Sequence, residues 1–103
     1  MKILTTFVMA TALTVSASAM AAGDPAKGKA TFAAKGCIGC HGAGGVSTAP
    51  AYPTLKGRSA AFVKENLTNF RSGKRKNPTM NGMAAGLTDE DIENLAAYIG
   101  SLQ

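Results

Sequence analysis

Apolar residues are spread unevenly along this chain, and the unevenness divides it. After Lys2 comes an apolar run from Ile3 to Val15, followed by small residues, SASAMAAG. From Asp24 onward apolar positions are sparse and fall at helical spacing. Asp24-Pro25 reads as a helix start, because Asp caps free amides and Pro is tolerated where its missing N–H is not needed. That helix runs through AKGKATFAAK, has Phe32 as its one large apolar side chain, and stops at Gly36. A second helix is predicted from the cap Ser59 to Phe70. There Phe62, Val63, Asn66, Leu67 and Phe70 share one face at i, i+1, i+4, i+5 and i+8. The last is the clearest: Thr88 and three acids begin it, with Asp91 completing a variant of the capping box. Ile92, Leu95, Ala96, Ile99 and Leu102 form its apolar stripe. Gly42 to Gly57 reads as loop, and so does RSGKRKNPTMNGMAAG, which is basic, punctuated by Gly and Pro, and without periodicity. No segment alternates in the manner of a strand, so an all-α fold of short helices and long loops is expected.

The leading segment is different material. A basic start, a short apolar run and an Ala-x-Ala end describe a secretory signal peptide, removed after Ala21, with Ala19 as the alternative. The run falls short of the roughly 20 apolar residues that span a bilayer, so a soluble exported product is expected. Loss of residues 1–21 takes 21 of the 103 residues and one of five net positive charges, leaving 82 residues, 22–103, at +4. A domain of that size buries a thin core and often depends on a disulfide, a metal or another covalent aid. The two cysteines have two residues between them, a loop too short to restrain the unfolded chain much. A bound group is therefore expected to supply the missing core.

The chemistry concentrates in KGCIGCHGAGG, which holds both cysteines and the single histidine. Zinc wants four ligands, usually from two such clusters, and only one cluster is present. A thioredoxin-like dithiol expects strands around the motif. A structural disulfide is compatible with export but explains neither His41 nor the missing core. Cys-x-x-Cys-His is also the attachment pattern of c-type haem. Two thiols at this spacing add across the two vinyl groups, and the following His41 offers an imidazole to the iron. A Met thioether in the sixth position favours ferrous iron and raises the potential. All Met residues beyond the leading segment lie in NPTMNGMAAGL, as Met80 and Met83.

With GKATFAAKGCIGCHGAGG, APAYPTLKG and PTMNGMAAGLTDEDIENLAAYI in place, the chain resembles the class I monohaem cytochromes c of the short, soluble bacterial type. The resemblance runs from Asp24 to Leu102. It implies three to five short helices wrapped around one covalent haem c, held through Cys37 and Cys40 and ligated by His41. It implies that the first and last helices cross near Gly28, Phe32 and Tyr98. It also implies that Pro50 presents its carbonyl to the second ring nitrogen of His41. The family's loop order implies Met80 as sixth ligand, with Met83 the alternative.

The function implied is one-electron transfer in the periplasm rather than catalysis. Two alternatives share the cofactor: a haem subunit of a larger oxidoreductase, and a haem enzyme or gas sensor with an open sixth position. Arg71, Lys74, Arg75 and Lys76 form a basic run before the Met segment, suited to steering an acidic redox partner. Ionised haem propionates bring the net charge towards +2, so the local patch matters more than the total. Nucleic acid is not expected as a partner, since no stacking aromatics accompany the basic run.

Overall fold

The computed structural model describes residues 23–103; the signal-peptide reading of residues 1–21 lies outside them. Five helices follow one another: α1 (Pro25–Ala34), α2 (Cys37–His41), α3 (Ala60–Ser72), α4 (Pro78–Ala85) and α5 (Asp89–Gly100), with a 3₁₀ turn at Ala43–Gly45. No strand occurs among the described residues. The fold is all-α, as the pattern of apolar positions implied.

Helix starts follow local chemistry. The Asp24 carboxylate accepts from the amides of Ala26 and Lys27, and Pro25 opens α1. Ser59 accepts from Phe62 N–H at the head of α3. At α5 the capping box closes in both directions: Asp91 N–H donates to Thr88 and Thr88 N–H to the Asp91 carboxylate, each at 3.0 Å. The acids of the first turn also lie where the helix dipole favours negative charge. Gly36, at φ 81°, takes the left-handed conformation that lets α1 end and α2 begin within two residues.

One expectation fails in the segment read as loop. Pro78–Ala85 is helical: Asn77 accepts from Met80 N–H at 3.0 Å, and Pro78 occupies the first helical position. Hydrophobic period was the wrong signal for it. This helix buries only Ala84, so it carries no stripe, and its cap residues are what announce it.

The core centres on the α1/α5 crossing. Phe32 and Leu95 are its large, fully buried side chains, and the Phe32 and Tyr98 rings lie 5.5 Å apart at a tilt of 58°. The helices touch backbone to backbone at Gly28, where an added Cβ would sit 1.9 Å from the Asn94 carbonyl oxygen. The buried Asn94 side chain accepts from Asp24 N–H at 2.8 Å, tying the start of α1 to the middle of α5. The crossing expected at Gly28, Phe32 and Tyr98 is therefore present.

Candidate functional site

A cleft of about 450 Å³ opens beside this core. It is lined by Cys37, Cys40 and His41 of α2, by Met80 and Met83 of α4, and by Leu95 and Ile99 of α5. The α3 face expected from sequence, Phe62, Val63, Asn66, Leu67 and Phe70, lines it too. What that face meets is a hollow. Helix α2 rests on α1 while α4 rests on α3, so the cleft brings the Cys-x-x-Cys-His segment and the Met pair to one place. Native interiors tolerate few voids larger than a water molecule, and a largely apolar recess of this size is a binding site or an instability.

Within the cleft the two cysteines are free and half-buried. Burial pushes the Cys37 thiol up, and the nearby Cys40 adds to this, while a backbone hydrogen bond opposes it. His41 is only 8% exposed. Its Nδ1 faces the carbonyl of Pro53 at 2.8 Å, an acceptor, so the neutral ring carries its proton on Nδ1 and leaves Nε2 free. The expected partner was Pro50. Tyr52 N–H donates instead to Ala49 O at 3.1 Å, closing a turn that carries Pro50 outward and brings Pro53 back to the histidine. The tautomer argument survives; the residue that makes it changes.

Met80 and Met83 differ in setting. Met80 is half-buried and packs on the hydrophobic core. Met83 is 38% exposed, and its methyl lies 3.7 Å from the position of a Cβ on Gly36, at the rim beside Cys37.

The basic run divides. Arg71 donates to Leu87 O at 3.1 Å and to the Asp89 carboxylate at 2.7 Å. Arg75 lies 4.7 Å above the Phe70 ring, bonds the Asn66 side chain and lines the cleft. Lys74 and Lys76 stay on the surface. Sequence reasoning missed Arg58 as well, which lies 4.6 Å over the Phe62 ring at the cleft.

The family model for cytochrome c matches residues 25–103, which takes in all five helices and the cleft. The chain belongs to the cytochrome c family. It is 42% identical over 83 residues to cytochrome c-554(548) of Halomonas halodenitrificans, covering 78% of this chain and 98% of that protein. It is 40% identical over 83 residues to cytochrome c4 of Pseudomonas aeruginosa, covering 81% of this chain but 40% of that one. The solved cytochrome c4 of Acidithiobacillus ferrooxidans superposes with a TM-score of 0.72 at 32% identity, over 79% of this chain and 51% of the other. The chain thus spans between about a third and a half of the c4 proteins it matches. The class I monohaem type expected from sequence agrees with these relatives, and membership implies covalent haem c and electron transfer. The cleft fits that group, since it joins a Cys-x-x-Cys-His segment, a histidine with a free Nε2 and an apolar wall. No helix among the described residues is long and apolar enough to cross a membrane.

Proposed function

We propose that this cytochrome is a periplasmic carrier of single electrons, with one haem c attached through Cys37 and Cys40 and ligated by His41 and Met80. Residues 1–21 are the export signal, and residues 22–103 the working domain. The carrying observation is that the Cys-x-x-Cys-His segment and Met80 line one apolar cleft. When bound, haem supplies an iron that alternates between Fe(II) and Fe(III). The chain does the rest. The Pro53 carbonyl holds the His41 proton on Nδ1 and makes Nε2 a better donor. Half-burial supports Met80 rather than the rim residue Met83 as the thioether ligand, and soft sulfur favours the reduced state. Phe62, Val63, Leu67 and Phe70 exclude water from the ring. No substrate is bound and no bond is made.

Partners are redox proteins with acidic docking surfaces, and the steering charge rests on Lys74 and Lys76, because Arg71 and Arg75 are engaged within the fold.

The visible spectrum of the purified holoprotein tests the ligand set. The weak ferric band near the red end that marks iron–Met ligation is expected, and Met80→Ala should abolish it. A band that survives Met80→Ala moves the ligand to Met83. No band at all, with ready binding of carbon monoxide to the ferrous form, indicates an open sixth position and ends the carrier reading.

A further inference from the structure

Helix α4 presents a positional problem. It has eight residues, buries only Ala84, and is far shorter than the roughly 12–15 residues at which isolated helices become even marginal in water. Beyond Ala84 and the half-buried Met80, hydrophobic packing does little to fix where it lies, yet the proposed reading needs Met80 held at one place in the cleft. The hydrogen bonds around the next residue supply the missing constraint. Asn81 Nδ2 donates to the carbonyl of Phe70 at 2.9 Å and to the carbonyl of Arg75 at 2.8 Å, and Asn81 Oδ1 accepts from Asn77 N–H at 2.9 Å. One amide thus ties three points of the chain: the last turn of α3, the basic connection and the cap residue of α4. The same segments are bonded through the backbone, since Arg75 N–H donates to Asn69 O at 3.0 Å and Asn81 N–H to Asn77 O at 2.7 Å. Asn77 in turn caps the amide of Met80 itself at 3.0 Å. Phe70 and Arg75 line the cleft with Met80, so the clamp is built into the wall that carries the thioether.

We propose that Asn81 is a positioning residue that holds Met80 at the iron, so that the strength of the axial bond depends on an amide that never touches the cofactor. This rests on the reading of Met80 as ligand. Both hydrogens of the amide and one lone pair of its oxygen are specified by geometry: two donations to backbone carbonyls, and one acceptance from a capping residue. An aspartate has the same shape and can still accept from Asn77, but it turns a carboxylate oxygen towards two carbonyls.

The test uses holoprotein of wild type, Asn81→Asp and Asn81→Ala, with Asp24→Ala as a control that removes a cap at the far end of the molecule. Ferric protein is titrated with imidazole, which displaces Met80 and bleaches the red-end band. Loss of two donated hydrogen bonds should raise the apparent affinity for imidazole by about tenfold or more in both Asn81 variants. Asp24→Ala should lower the thermal midpoint and leave the affinity as in wild type, which separates positioning of the ligand from general stability. Asn81→Asp, being isosteric, carries the test if Asn81→Ala does not accumulate holoprotein. Wild-type affinity in the Asn81 variants, or an equal rise in Asp24→Ala, overturns this inference and leaves the ligand set intact. A wild-type spectrum without the band, or a Met80→Ala protein that keeps it, overturns the ligand reading and this inference with it.

Discussion

The two sides of this molecule are held by different means. On one side α1 and α5 meet through Gly28, Asn94, Phe32 and Tyr98, backbone against backbone and ring against ring. The chain supplies those contacts itself, although Phe32, Leu95 and Ile99 also turn an edge to the cleft. On the other side α3 and α4 face a cleft, and two amides and a guanidinium, Asn66 and Arg75 on its lining and Asn81 behind it, hold the chain in place. The first side is a core completed by the chain itself. The second is a wall that requires an occupant, and its polar ties fix where the wall stands rather than filling it. Such a division suits an electron carrier, because a self-sufficient crossing keeps the frame rigid while the iron changes charge.

Removing the occupant should break the second side and spare more of the first. In the series from which the rule comes, a residual cavity costs roughly 24 cal/mol per Å³. For a closed void of 450 Å³ that is about 10 kcal/mol. The cleft is open to solvent, so this is an upper bound, but it rivals the total of about 5–15 kcal/mol that stabilises a typical domain. A Cys37→Ala/Cys40→Ala chain without haem should therefore lose most of its helical circular dichroism. Any hydrogen-exchange protection that remains should lie in α1 and α5. A haem-free chain with holo-like dichroism would contradict the division.

A single methyl group at the crossing should break the first side. In an exposed helix Gly→Ala gains about 1 kcal/mol. At Gly28 the new Cβ would lie 1.9 Å from a backbone oxygen and 2.7 Å from the Tyr98 Cβ, and backbone on both helices must give way. Overpacking of this kind costs about 1–3 kcal/mol or more, so the propensity gain is outweighed. Gly28→Ala holoprotein is expected to melt about 10 °C lower, with its iron–Met band unchanged because α4 lies elsewhere. A raised melting point would show that the helices separate without cost.

What could be read from sequence differs between the sides for the same reason. Helices α1, α3 and α5 announce themselves by caps and, for α3 and α5, by an apolar face, and all three are where those signals put them. The α3 stripe was legible as a face but not as a cleft wall, because periodicity says which residues turn inward and not what they meet. Cys37, Cys40 and His41 are contiguous, so their chemistry was visible without the fold. Helix α4 was missed, since it has no stripe and only Asn77-Pro78 marks its start. The expectation of Pro50 as the histidine partner came from the family resemblance, and the carbonyl that reaches His41 is that of Pro53, beyond a turn closed by Tyr52 N–H and Ala49 O. The clamp at Asn81 joins residues up to eleven positions apart, and no local pattern encodes it.

The smallest predicted effects concern the basic run, which crosses from one side to the other and does two jobs. Arg71 joins the end of α3 to the head of α5 through Leu87 O and Asp89. Its partner carboxylate is 91% exposed, so the ion pair itself is screened and contributes little. The bond to the half-buried carbonyl carries more, and Arg71→Ala should cost about 1 kcal/mol, largely independent of salt. Lys74 and Lys76 make no such contact. Lys74→Glu/Lys76→Glu should change stability by less than about 0.5 kcal/mol. It should slow association with an acidic redox partner at low ionic strength, and the difference should fade as salt approaches the range where the screening length is about 8 Å. Stopped-flow electron transfer and thermal melts on the two variants separate the roles. If Arg71→Ala slows association as much as the lysine double variant does, the whole run acts as one docking surface, and its division between frame and partner fails.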